Sequence, residues 1–190
     1  MSWLEVETKI RISKKDIPKL REKIRKIAFF KKKEIKKDRY FAYFSMKKRY
    51  PNYPIKAFRV RFNGKEYIIN FKKWLKKFWD SKIVVKEEFE FKLKNPENFL
   101  ALMRDLGFIE WIKKIKISEI YIHKKDKRIT IELNKVLGLD YFIEVEYLAR
   151  KNEMHLAKSK VSGVLKELGV KQNQINNAGY TKMLWERKKF

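Results

Sequence analysis

Glu5-Val6-Glu7-Thr8-Lys9 sets two carboxylates and an amine at every second position of a β-branched run. That spacing puts all three on one face of an extended strand. Carboxylates so placed offer hard oxygen ligands to Mg²⁺ or Mn²⁺, and an amine beside them offers a charge to a phosphate. The pattern returns at Glu88-Phe89-Glu90-Phe91-Lys92, with shorter forms at Arg59-Val60-Arg61, Lys114-Ile115-Lys116 and Glu144-Val145-Glu146. A surface sheet would scatter its charges. Here they fall into acidic pairs and basic pairs, as an interior that holds metal ions and phosphates requires.

The elements that position these groups follow from periodicity and punctuation. Residues 3–12 read as a strand. Residues 14–27 read as an amphipathic helix, with Ile17, Leu20, Ile24 and Ile27 at helical spacing and Pro18 tolerated in its first turn. Segment 38–46 alternates weakly, and Tyr50-Pro51-Asn52-Tyr53-Pro54 is a loop. Phe58–Phe62 and Glu66–Lys73 are strands joined through Asn63-Gly64, a pair suited to the positive φ angles of a tight hairpin. A strand over 82–93 leads to a helix that Asn95-Pro96 opens, that runs through Phe99, Leu102, Met103 and Leu106, and that Gly107 stops. Strands near 112–122, 128–136 and 141–148 follow, then helices near 152–168 and 177–187 separated by Gly169 and a polar Gln172–Asn177 stretch.

The two halves resemble each other: a charged alternating strand, a helix of about a dozen residues, then antiparallel strands. About eight strands that alternate charged and apolar positions need helices on one face and a wet cavity on the other. The expected fold class is therefore α+β, a closed eight-stranded antiparallel barrel with helices outside. Carboxylates inside would coordinate Mg²⁺ or Mn²⁺ and cations would neutralise a polyanion, so a triphosphate with its divalent metal suits such a bore.

Composition bounds the rest. With 190 residues, 44% hydrophobic and 15% aromatic, the chain carries a substantial core, and no linker divides it, so residues 1–190 read as one domain. The absence of cysteine excludes disulfides, thiolate zinc sites and a cysteine nucleophile. His123 and His155 read as solvated or packing residues. No membrane span and no signal peptide are visible, which points to a cytoplasmic protein. Lysine and arginine number 49 against 23 acids, a formal charge of +26, so the surface should attract nucleotides, polyphosphates or nucleic acid. The densest basic runs are Lys31-Lys32-Lys33, Lys36-Lys37, Lys47-Lys48-Arg49 and Lys72 to Trp79, the last with aromatics that could stack bases. High lysine without cysteine is compatible with a thermophile.

The ordered set Glu5-x-Glu7-x-Lys9, Asp38-x-Tyr40-Phe41, Arg59-x-Arg61, Lys72, Glu88-x-Glu90, Lys114-x-Lys116 and Gly138-Leu139…Phe142-x-Glu144-x-Glu146 resembles the CYTH superfamily, the triphosphate tunnel metalloenzymes. The likeness runs from residue 3 to about 147, and Gly179 to Leu184 looks like the family's short C-terminal helix. The resemblance implies an eight-stranded tunnel and the activity of a class IV adenylyl cyclase, a thiamine triphosphatase or an inorganic triphosphatase. It implies Glu5, Glu7, Asn134, Glu144 and Glu146 as metal ligands for Mg²⁺ or Mn²⁺. Lys9, Arg59, Arg61, Lys72, Lys114 and Lys116 would take phosphate oxygens, Glu88 and Glu90 would line the tunnel, and Lys9 and Glu132 would act in catalysis.

Two departures stand out. Lys114-x-Lys116 replaces the family's Lys-x-Arg, keeping the charge and losing the bidentate fork. Asn134-Lys135-Val136 replaces its Asp-x-Val; asparagine offers a carbonyl oxygen but no negative charge and no base. Glu132, on the same side two residues earlier, could compensate.

The leading expectation is conversion of ATP to cyclic AMP and pyrophosphate. The first alternative is hydrolysis of thiamine triphosphate, inorganic triphosphate or a nucleoside triphosphate. The second is a protein that binds nucleotide, polyphosphate or RNA without turnover, which +26 and Asn134 favour. Nothing in the sequence identifies an adenine pocket. Partners beyond the triphosphate, nucleic acid on the basic loops or a second copy in a homodimer, stay open.

Overall fold

Eight alternating strands leave two hydrogen-bonding edges unless the sheet closes, and in this chain it closes. The computed structural model describes residues 3–43, 54 and 57–187, except for the side chain of Gln172. Among them the strands are β1 (Leu4–Ile12), β2 (Ala28–Tyr43), β3 (Phe58–Phe62), β4 (Tyr67–Trp74), β5 (Val84–Leu93), β6 (Phe108–His123), β7 (Ile129–Val136) and β8 (Tyr141–Ala149). They form one closed antiparallel barrel in the order β1-β5-β4-β3-β2-β6-β7-β8. The helices are α1 (Ile17–Ile27), α2 (Pro96–Asp105), α3 (Met154–Leu168) and α4 (Tyr180–Arg187). None of the described helices is long and apolar enough to cross a membrane.

The internal repeat is visible in the strand order. Each half is a strand, a helix and a three-strand meander, and the first strand of each half lies against the last strand of the other, β1 on β8 and β5 on β4. The chain also divides into two compact units. Unit 1 is Met1–Glu34, Lys73–Glu88 and Lys116–Asn177; unit 2 is Ile35–Lys72, Phe89–Ile115 and Ala178–Phe190.

In unit 1, β1 is buried along most of its length, Glu7 and Lys9 included, while Glu5 is half-buried and Arg11 exposed. Its apolar face, Leu4, Val6, Ile10 and Ile12, joins Ile131, Leu133, Ile143 and Val145 of β7 and β8 in one core. Helices α1 and α3 cover that face with Ile17, Leu20, Ile24, Ala157, Val161, Val164 and Leu168. Full burial of such a side chain is worth roughly 1.5–3 kcal/mol, so this face fixes the register that the charged face inherits. Pro18 lies in the first turn of α1. Helix α3 ends on Gly169 at φ 68°, where a Cβ would stand 2.8 Å from Lys23 Nζ, the group that donates to the Leu168 carbonyl.

In unit 2, the β3–β4 hairpin turns through Asn63–Glu66. Asn63 Oδ1 accepts from the N–H groups of Lys65 and Glu66, and Gly64 takes φ 95°. Asn95 caps α2 by accepting from the Asn98 N–H. Helix α2 buries Leu100 against Phe41 and Val60, whereas Leu102 and Leu106 face solvent. A second small core joins Ala42, Trp111 and Ile112 to Trp185 of α4.

Two strands are longer than the pattern indicates. Strand β2 starts at Ala28, directly after α1, and residues 29–33 are exposed, so no apolar alternation marks them. Strand β6 starts at Phe108, right after the helix-ending glycine. The expected loop at Tyr50–Tyr53 and the run Lys47-Lys48-Arg49 lie outside the described residues.

Candidate functional site

Antiparallel partners share a face, so the register fixes which charges meet. In unit 1, Glu5 stands opposite Lys86 of β5, while Glu7 and Lys9 stand opposite Glu146 and Glu144 of β8. On β7, Glu132 opposes Glu144, and Asn134 opposes Ser118 of β6. Period two carries Lys116 and Glu88 to that face as well.

Glu5, Glu7 and Glu146 each bring a carboxylate oxygen into a group within 4.8 Å of one another. Three oxygen donors without sulfur or imidazole suit a hard divalent cation such as Mg²⁺ or Mn²⁺, so these residues fit the metal the sequence implies. Lys86, whose side chain is 15% exposed, ion-pairs with Glu7. Burial pushes its ammonium toward neutrality, but Glu7 and Glu5 outweigh that and hold it above the ordinary lysine value. Sequence reasoning missed Lys86, although Lys86-x-Glu88-x-Glu90 continues the same alternation.

Glu132, Asn134 and Glu144 form a second network in this unit. Lys116 Nζ donates to Glu132 Oε2 at 2.6 Å and to Glu144 Oε2 at 2.9 Å. Asn134, fully buried, donates from Nδ2 to Glu144 Oε2 at 2.8 Å and accepts from the Ser118 hydroxyl at 2.6 Å. Burial pushes the Glu144 carboxyl up, yet Lys116, Lys9 and a hydrogen bond from Lys116 bring it down to about 2. Lys9 is held from its main chain: its N–H donates to Asn177 Oδ1 and its carbonyl accepts from the Asn176 N–H.

The Asn134 amide thus bonds the Glu144 carboxylate where an aspartate would repel it. Asn134→Asp should lower stability by about 1–3 kcal/mol in chelator, the scale of a buried group that loses its partner. Added Mn²⁺ should restore the melting temperature and raise turnover if an ion reaches this carboxylate; an unchanged melting temperature in chelator would contradict the network.

Unit 2 gathers cations around one anion. Asp38, 2% exposed, accepts from Arg61 Nε at 2.7 Å and Arg61 Nη2 at 3.0 Å. Lys114 Nζ lies 2.9 Å and Arg59 Nη1 3.8 Å from Asp38 Oδ2. Burial raises the Asp38 carboxyl, but Lys114, Arg59 and Arg61 carry it well below the usual carboxylate range. Tyr40 accepts from Lys114 Nζ at 3.0 Å, and the Tyr180 ring of α4 lies 5.4 Å beneath the same ammonium. Burial raises the Tyr40 hydroxyl; Lys114 and Arg59 more than offset this and lower it. Asn70 donates to Glu90 at 2.9 Å, and Arg59 Nη2 is 4.0 Å from the same carboxylate. Lys72 occupies β4 two residues beyond Asn70, on the face that Asn70 shares with Arg59. Three cations on one carboxylate leave a surplus of positive charge for a polyanion.

Depressed carboxyls tie stability to pH. Glu144 and Asp38 ionise more readily folded than unfolded, so their contribution is complete above the unfolded values and is lost as pH falls through the folded ones. The urea midpoint should fall as pH drops from about 4.5 towards 2. A flat midpoint across that window would contradict both assignments.

Two other expected features have structural placements. His123, 6% exposed, accepts at Nδ1 from the Lys125 and Asp126 N–H groups, a turn-capping role. In the Lys72–Trp79 run, Phe78 and Trp79 pack on the unit 1 core and Trp79 Nε1 donates to the Val85 carbonyl, while Trp74 is exposed.

The family model described as CYTH domain matches residues 4–177. A Methanocaldococcus jannaschii protein provisionally named an adenylate cyclase is 29% identical over 182 residues, spanning 95% of this chain and 98% of its own. A solved Pyrococcus horikoshii structure is 26% identical and superimposes with a TM-score of 0.75, covering 95% of this chain and 99% of that one. A Hippeastrum adenylyl cyclase candidate, described as having a dominant triphosphatase activity, shares the fold at 16% identity, with a TM-score of 0.66 and 96% of each chain covered.

Proposed function

The chain belongs to the CYTH domain family, and from that membership we propose that it is a divalent-metal-dependent enzyme acting on a nucleotide or organic triphosphate, with ATP cyclisation to cyclic AMP and pyrophosphate as its leading activity. The observation that carries this reading is the convergence of Glu5, Glu7 and Glu146 in a chain whose other strand charges include buried Lys9, Arg59, Lys114 and Lys116. The relative named as an adenylate cyclase supports the choice of ATP.

Glu5, Glu7 and Glu146 would hold the ion, which supplies Lewis-acid polarisation of phosphoryl oxygens when bound. In unit 1, Lys9 and Lys116 take phosphate oxygens, with Lys116 already charged and oriented by Glu132 and Glu144. In unit 2, Asp38 fixes Arg61 and Lys114 so that they neutralise phosphate charge without reorganising. Glu132 is the carboxylate nearest a proton-accepting role, once phosphate competes with it for Lys116. Positioning and charge neutralisation of this kind carry most of phosphoryl chemistry. Residues 1–190 are read as one tunnel domain, and a cytoplasmic setting supplies its triphosphates.

A triphosphatase is the second reading, favoured by the activity described for the Hippeastrum neighbour. Chromatography of the products from ATP and from tripolyphosphate separates the two. Cyclic AMP with pyrophosphate supports the cyclase, whereas orthophosphate from either substrate, without cyclic AMP, replaces it with the triphosphatase.

A further inference from the structure

Three carboxylates meet at Glu5, Glu7 and Glu146, and one ammonium of the same unit is already among them. Lys86 stands directly opposite Glu5 across the β1–β5 ladder and ion-pairs with Glu7. Neither the proposed chemistry nor phosphate binding uses it. Its ammonium occupies a carboxylate that a metal ion at this cluster would need, so the two compete for Glu7.

The neighbouring network is tied to this one. Lys116 donates to Glu132 and Glu144 and Asn134 donates to Glu144, while the Glu144 carboxylate also acts on the Lys86 ammonium.

We propose that Lys86 is a built-in cation of the metal centre that weakens the hold of the Glu5–Glu7–Glu146 cluster on a divalent ion by competing for Glu7. The inference rests on the metal reading above and deepens it: that reading names the ligands, and this one names the residue that sets their affinity. A lysine serves here because its compact ammonium is a point charge of fixed valence on a flexible stem, able to leave Glu7 when the ion arrives.

The test is Mn²⁺ binding without any triphosphate, followed by the paramagnetic resonance signal of free Mn²⁺ and by calorimetry. Wild type should bind Mn²⁺ measurably. Lys86→Met should bind at least tenfold more tightly, Lys86→Arg should stay near wild type, and Glu7→Gln should bind weakly. Circular dichroism melts establish that each variant is folded, and Lys86→Gln replaces the methionine variant if burial of the latter unfolds the chain. Affinity unchanged or reduced on loss of the lysine charge overturns the role of Lys86 while leaving the carboxylates as ligands. No Mn²⁺ uptake by wild type or by either neutral variant overturns the metal reading itself, and this inference with it.

Discussion

Asp38→Ala should destabilise the protein by about 3–5 kcal/mol, the scale seen when one side of a buried ion pair is removed and the other is left. The reason is local to unit 2. Asp38 is 2% exposed and accepts both guanidinium hydrogen bonds of Arg61, with Lys114 at 2.9 Å and Arg59 at 3.8 Å. Without the carboxylate, three cations share one buried region and repel each other. Asp38→Asn keeps the shape and loses the charge, so it should fall between wild type and alanine. Urea denaturation followed by circular dichroism reads the difference. Polyphosphate should rescue the variant by supplying the missing negative charge, as a ligand that binds the folded state alone must. A loss under 1 kcal/mol in both variants would mean that the cations do not depend on Asp38.

Replacing Glu5 and Glu7 together with glutamine should abolish metal-dependent turnover while leaving the fold intact. Both side chains belong to the cluster of converging oxygens, and neither contributes to the apolar core that α1 and α3 cover. Removing two direct ligands should exceed the roughly 10–100-fold loss that follows when a ligand merely loses its hydrogen-bond partner. Lys86 then loses the carboxylates that hold its ammonium charged against burial, so the melting temperature should fall, and added Mn²⁺ should not restore it. Retained activity in the double variant would remove the acidic cluster from the mechanism.

Much of this arrangement was legible in the sequence because strand chemistry has an exact period of two. Glu5, Glu7 and Lys9 share a face in any extended conformation, and so do Arg59 and Arg61, or Glu144 and Glu146. Capping and turn residues were equally direct: Asn95 caps α2, Asn63-Gly64 turns the hairpin and Gly169 ends α3. The start of β2 was not legible, since Phe29 to Lys33 are exposed and their polarity carries no alternation.

At the site, what escaped was pairing across strands. Glu7 meeting Glu146, Glu5 meeting Lys86 and Glu132 meeting Glu144 are facts of register, and register is set by the apolar face and the closure of the barrel. For the same reason Asn134 could be read only as a weakened metal ligand. Its register partner Ser118 and its bond to Glu144 give it a structural task that its type does not disclose. Asp38 was part of the ordered motif, yet its place among Arg59, Arg61 and Lys114 required the β2–β3 ladder, where it stands opposite Arg61.

The most direct test of the central claim is to follow ATP and, separately, tripolyphosphate by ³¹P NMR with pure protein, in Mg²⁺, in Mn²⁺ and in chelator. The triphosphate resonances should disappear in at least one of the two substrates, only with divalent metal, and not with the Glu5→Gln, Glu7→Gln variant. Both substrates surviving intact with either metal, while the protein still binds them, would contradict it and leave a protein that holds triphosphates without turning them over.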